Sequence, residues 1–340
     1  MSRLIQFALT QRVLVILVTA LLAGFGYFAF TQLPIDAFPD VSPTQVKIIV
    51  KAPGMTPEEV ENQITAPIEL ELLGIPRQVM LRSIAKYALS DITVDFAEGT
   101  DIYWARQQVA ERLAAVWDNL PADIEGGIAP MTTPLGEMFM FTVEGNLSLT
   151  ERRTVLDWII RPALRTVPGV ADVNSLGGYV RSFEIKPDPL RMAARGVDPL
   201  ILGKALEENN RNDGAGRMRE GEEALLVRSA GRIRDLDDVR AIVVKVENGT
   251  PIRVSDVATV GIGAITRYGA VTQNGEVEAV QGLVLGLRGA NARDVVDGVR
   301  RKLDEIESAL PDGVTVDIFY DRGNLVQRAV GTVSKALAEA

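Results

Sequence analysis

TPEEVENQITAPIELELLGIP (residues 56–76) and SLTERRTVLDWIIRPALRTVP (residues 148–168) stand 92 residues apart and open alike. In each, a hydroxyl residue precedes a glutamate by three places: Thr56 and Glu59, Ser148 and Glu151. This is the capping box, in which each side chain accepts the other's free backbone N–H at a helix start. Pro57 takes the first helical position, where its missing N–H costs nothing. Both stretches end on proline, Pro76 and Pro168. The same shift carries Ser83 onto Ser175 and Tyr87 onto Tyr179.

The pattern extends outward from these helices. QVKIIVK (residues 45–51) alternates as a strand, with Val46, Ile48 and Val50 on one face. Strands are predicted near 78–83 and 90–96, a helix from Asp101 to Leu120-Pro121, and a further strand after Asp123. A shift of 190 residues lays that helix on Asn291 to Leu310-Pro311. The two shifts differ by 98 residues, so the second copy is expected to be split by an insertion over about 189–264. The expected fold class is α+β: a duplicated βαββαβ (ferredoxin-like) module, each copy a sheet with helices on one face. Inside the insertion, 198–210 reads as helix. NDGAGRMREGEEALLVRSAG (residues 212–231) suits a long exposed hairpin gripping a partner, with a plain surface loop as the alternative.

Composition sets limits. The 340 residues are 47% hydrophobic, enough for two or three domains with real cores. Cys and His are both absent. Disulfides, thiolate or imidazole metal sites and Cys or His catalysis are therefore excluded, and a metal must use Asp, Glu, Met or carbonyl oxygen. A net charge of −9 without a long basic run argues against nucleic acid. No nucleophile–base pair or phosphate loop stands out, so an enzyme is not expected.

VLVILVTALLAGFGYFAF (residues 13–30) is uncharged and would span about 27 Å as a helix, close to the hydrocarbon core of a bilayer. Arg3 and Arg12 precede it and Asp36 and Asp40 follow, which predicts a cytoplasmic N-terminus. The run exceeds a usual signal-peptide core and no A-x-A site follows, so an anchor is expected rather than a cleaved signal. At the other end, residues 324–340 read as an amphipathic helix with no cap, and a further element is expected beyond.

GEMFMFTVEG (residues 136–145) reads as a strand. Strict alternation sets Glu137 beside Phe139, Phe141 and Val143, with Met138 and Met140 on the other face. A carboxylate beside two phenylalanines needs a partner or water. Core packing accounts for the methionines; a path for soft metal is the alternative. Asp101 is expected to cap its helix, and Arg106 to pair with a nearby acid.

LPIDAFPD, APGMTPEEVENQITAPIE, EGTDIYWARQQV, LRTVPGVADVNSLGG, GEEALLVRSAG, PIRVSDVATVGIG and LPDGVTVDIFYDR together resemble the resistance-nodulation-division (RND) transporters. The likeness is to the N-terminal part of their heavy-metal efflux branch, the CzcA/CusA type. It implies one transmembrane helix (1–33), a first porter subdomain (34–134) and a second (135–188 with 265–320). A docking subdomain (189–264) would interrupt the second, and 321–340 would lead to the next transmembrane helix. It further implies a homotrimer in the bacterial inner membrane, most of this span periplasmic, working with an adaptor protein and an outer-membrane channel. Export would be proton-driven, through acids in later helices.

In the cobalt-zinc-cadmium type a Gly-Leu-Gly-Glu sequence carries an acid beside the substrate pocket. Pro134-Leu135-Gly136-Glu137 resembles it, with Pro for the first Gly. Copper and silver pumps carry an aromatic residue there, and a Met in the segment aligned with 263–269, which has none here. Carboxylates suit borderline divalent ions, whereas Cu(I) and Ag(I) prefer sulfur. The resemblance thus implies zinc, cobalt, nickel or cadmium as cargo, without a resident cofactor. Glu137 and Asp172 would touch the metal, Phe139 and Phe141 would line the pocket, and Asp36 and Asp40 would meet incoming cations. A multidrug pump gripping apolar ligands, or a membrane-anchored assembly module, are the alternative functions.

Overall fold

A computed structural model describes residues 10–32, 42–133, 135–211, 213–220, 223–229, 231–267 and 269–339. Asp36 and Asp40 lie outside the described residues.

Helix α1 (Arg12–Gln32) has 21 residues, roughly 31 Å. Its apolar side chains, Val13, Ile16, Leu21 and Phe25 among them, are exposed rather than packed. Among the described residues it alone is long and apolar enough to cross a membrane.

The first sheet runs in the order β2 (Gln78–Lys86), β3 (Leu89–Phe96), β1 (Gln45–Lys51), β4 (Glu125–Ile128), all neighbours antiparallel. The capping box forms as read: the Thr56 N–H donates to Glu59 Oε2 at 2.8 Å, and the Glu59 N–H to Thr56 Oγ1 at 3.3 Å. It starts α2 (Pro57–Val60), which passes through a wider π turn (Glu61–Thr65) into α3 (Ala66–Leu72). Asp101 caps α4 (Ile102–Trp117) by accepting from the Trp104 N–H. These helices cover one face of the sheet. Val46, Ile48 and Val50 form the core with Ile64, Ile68 and Val109, all fully buried.

The second sheet reads β6 (Val170–Gly177), β14 (Val277–Gly286), β5 (Glu137–Glu144), β15 (Thr315–Asp321), with the short β13 (Val271–Gln273) also on β14. Ser148 and Glu151 make the second capping box, at the head of α5 (Leu149–Val155). Again a π turn (Leu156–Ile160) intervenes before α6 (Arg161–Leu164). That run and the long helix α11 (Ala292–Ile306) cover Phe139, Phe141, Val143, Val280 and Val284.

Between β6 and β14 the chain leaves through β7 (Arg181–Pro187) and returns through β12 (Ala258–Ala264), which pair in antiparallel fashion as a two-stranded stem. Beyond the stem lie α7 (Pro189–Ala194), α8 (Pro199–Glu208), α9 (Leu236–Ala241), the pair β10 (Val243–Glu247) and β11 (Thr250–Arg253), and the turn α10 (Val254–Val257). A separate core, with Met192, Leu202, Val239 and Val257 at its centre, holds them together. The stretch read as a hairpin forms one: β8 (Asp213–Glu220) pairs with β9 (Glu223–Ser229). The last helix, α12 (Arg322–Glu339), follows β15 directly.

Candidate functional site

The decisive irregularity sits at the start of β5. Val284 of β14 faces Phe139, but the next residue, Leu285, faces Glu137. Met138 is therefore an extra residue, a β-bulge. Past a bulge the alternation of faces resets. Phe139, Phe141 and Val143 point to the helices, and Met138 joins them in the core. Glu137 instead shares the open face with Leu285, Leu283 and Met140. Strict alternation had set it among the phenylalanines, and the bulge reverses that. Phe139 and Phe141 are fully buried with ring centres 6.2 Å apart, so they are core residues and line no pocket. Two glycines of β14 make room for this packing. A Cβ on Gly282 would stand 2.2 Å from the Phe141 ring, and one on Gly286 2.1 Å from Met138 Cε.

On the open face, Leu283 lies between Met140 and Asn174, with Tyr320 opposite Met140 on β15. Leu285 lies between Glu137 and Asp172, beside a second bulge at Ala171. Two strand spacings separate the acids, about 10 Å. Their situations differ. Glu137 is exposed and makes no hydrogen bond or ion pair with any described residue. Asp172 is 15% exposed and held by Arg161 and Arg165, each at 3.3 Å, and it accepts from the Val173 N–H at 2.8 Å. Among the described residues no three acidic side chains gather into a metal cage. Among the described residues, this face offers around Leu283 and Leu285 the unpaired carboxylate of Glu137, the half-buried thioether of Met140 and the amide of Asn174, while the exposed Asp317 stands farther along it, opposite Thr142. Met140 keeps the face that alternation assigned it, but the bulge parts it from Met138, which joins the core; Leu283 and Tyr320 were missed from sequence because only strand pairing brings them to this face.

Between β4 and β5, partners from several elements hold the carbonyls of Ala129, Met131, Leu135 and Gly136. Ala129 O accepts from Arg106 Nη1 at 2.8 Å, Met131 O from the Arg288 N–H at 3.2 Å, and Gly136 O from the Gly286 N–H at 2.8 Å. Leu135 O accepts from Arg322 at the start of α12, a guanidinium only 4% exposed. The Arg288 side chain reaches across to Ser42 O at 2.6 Å and Pro43 O at 3.2 Å. Arg106 thus binds a carbonyl, not the acid expected for it. Burial pulls its pKa below the usual arginine value. No local sequence signal marks Arg288 or Arg322, whose partners lie far away in the chain.

The AcrB/AcrD/AcrF family model matches residues 4–340. The cation efflux system protein CzcA of Alcaligenes sp. (strain CT14) is 40% identical over 348 residues, covering 99% of this chain and 33% of the relative. The cobalt-zinc-cadmium resistance protein CzcA of Cupriavidus metallidurans is also 40% identical, with the same coverage. The cation efflux system protein CusA of Escherichia coli (strain K12) is 36% identical over 340 residues, covering 99% of this chain and 32% of its own length. A crystal structure of a heavy metal efflux pump superposes with a TM-score of 0.91 at 34% identity, over 99% of this chain and 34% of that one. The chain spans about a third of the length of the curated relatives it matches.

Proposed function

Because the chain belongs to the AcrB/AcrD/AcrF family, we propose that it forms the N-terminal part of a proton-driven pump exporting divalent heavy-metal cations. The cargo is zinc, cobalt, nickel or cadmium rather than copper or silver. The observation that carries this reading is Glu137: an exposed carboxylate, unpaired among the described residues, that a bulge turns onto the open face of the second sheet. Carboxylate oxygen suits borderline divalent ions better than Cu(I) or Ag(I). A single carboxylate also gives weak binding, which suits an exporter that must release its cargo. The remaining ligands would come from elsewhere in the assembled pump, since a tight site takes three or four. Asp172 would join when its arginines yield, and Asp36 and Asp40 would meet cations on their way in.

The anatomy proposed with it is two porter subdomains, 34–134 and 135–188 with 265–320, as copies of one ferredoxin-like module. Two things support the duplication: the strand order, second-third-first-fourth in both sheets, and the shared capping box followed by a π turn. Residues 189–264, with their own core, would dock onto an outer-membrane channel. Residues 1–33 would anchor the chain in the bacterial inner membrane, and 321–340 would lead back to it. The working unit would be a homotrimer with a periplasmic adaptor. A multidrug pump gripping ligands with Phe139 and Phe141 finds no support, because both rings are sealed in the core.

The test is transport by the full-length pump in proton-loaded vesicles. Zinc and cobalt uptake that collapses with the proton gradient, without movement of a hydrophobic dye, is the expected result. Dye transport without metal transport would overturn the reading.

A further inference from the structure

We propose that the cleft between the two sheets binds a small free oxyanion, of the carboxylate or phosphate class, on Arg106. The cleft measures about 210 Å³, and Gln45, Lys47, Arg106, Thr132, Asn174 and Arg288 supply much of its polar wall. Each of these side chains can donate a hydrogen bond. Among the described residues, the lining holds no carboxylate at all. A cavity below the roughly 300 Å³ of drug-sized pockets suits a small ion and a few waters.

The three cations are not equivalent. Lys47 meets Asp91 at 3.2 Å, and Arg288 is committed to Ser42 O, Pro43 O and Thr44 Oγ1. Arg106 donates one N–H, to Ala129 O, and makes no ion pair with a described residue. A guanidinium carries five donors in a planar fork that matches two oxygens of one anion. Half-buried without a counter-ion, it keeps its charge at a desolvation cost that an oxyanion would offset. Its helix, α4, belongs to the first sheet's layer, while Asn174 belongs to the second sheet, so an ion held here touches both halves of the fold. The acids proposed for metal do not line this cleft, although Asn174 and Leu285, which lies between Glu137 and Asp172, do.

The experiment is calorimetric titration of the detergent-solubilised chain with inorganic phosphate and, separately, acetate in low-chloride buffer. Saturable millimolar binding is expected. Arg106→Gln should weaken it roughly tenfold, the scale of one lost charge-assisted pair. Arg106→Lys, which keeps the charge but not the fork, should weaken it less and covers the case where the glutamine variant misfolds. Arg82→Gln, outside this cleft, should leave it unchanged. No saturable binding of either anion, or equal binding by the wild-type chain and both Arg106 variants, would overturn the proposal.

Discussion

Gly286 lies against Met138 so closely that a Cβ on the glycine would stand 2.1 Å from the Met138 Cε and 2.3 Å from its sulfur. The two residues are 148 positions apart in the chain, yet together they determine which way Glu137 faces. Met138 is the residue that the bulge adds, and its side chain folds over β14 where Gly286 leaves a gap. With any side chain at 286, Met138 loses that seat and the regular register becomes the competitor.

Gly286→Ala is therefore expected to destabilise the second sheet by about 1–3 kcal/mol, the range for overpacking a filled core. Denaturant unfolding followed by circular dichroism would measure it. The double variant Met138→Ala/Gly286→Ala should lose less than the sum of the single losses, because the clash disappears with the side chain. Strict additivity would show that the two residues do not share a site.

Phe141→Ala tests the core assignment against the pocket one. The ring is fully buried between the sheet and α11, and its loss should cost about 3–5 kcal/mol. A lowered unfolding midpoint with unchanged cargo preference in the full-length pump is the expected pair of results. Altered selectivity at full stability would return the ring to a pocket.

The capping boxes give a pH dependence. Hydrogen bonds from Thr56 hold the Glu59 carboxyl below its ordinary pKa, and those from Ser148 do the same for Glu151, aided by Arg181. A depressed carboxylate contributes stability that is present above the unfolded pKa, about 4.3, and is lost as pH falls through the lower folded value. Unfolding midpoints should thus drop more steeply below about pH 4.3 in the wild-type chain than in Thr56→Ala/Ser148→Ala. Parallel curves for the two proteins would refute the linkage.

Glu137→Gln keeps the shape and removes the charge. In the full-length pump it should lower zinc and cobalt transport roughly tenfold, on the scale of losses at tuned metal sites. Met140→Leu should have little effect on those ions if oxygen does the work. A larger loss from Met140→Leu than from Glu137→Gln would point to a thioether path and to softer cargo.

The features legible in the sequence were local ones. Ser148 and Glu151 are three residues apart, and Val46, Ile48 and Val50 need only the period of a strand, so each declares its structure within a few positions. The bulges at Met138 and Ala171 were not legible, since each depends on a partner strand more than a hundred residues away. That one extra residue moved Glu137 to the other face and emptied the expected pocket of its aromatics. Arg106 misled for a similar reason: its partner is a backbone carbonyl, and carbonyls leave no mark in a sequence.

Asp172 is held by two arginines and is also proposed to meet the cargo, and the two roles compete. Its ion pairs with Arg161 and Arg165 are made to guanidiniums 36% and 57% exposed, and such pairs are worth about 0–1 kcal/mol because water and salt screen them. A passing dication can therefore displace them at little cost, and the same weakness makes the two roles separable. Asp172→Asn should shift the unfolding free energy by no more than about 1 kcal/mol. If the carboxylate meets the cargo, the same variant should slow zinc transport in the full-length pump. Combining it with Arg161→Gln should not restore the rate, since the missing oxygen is still missing. If Asp172 only anchors its edge strand, transport will follow stability, and Arg161→Gln alone will reproduce the effect of Asp172→Asn. Rate measurements on the three variants at equal expression decide between the two roles.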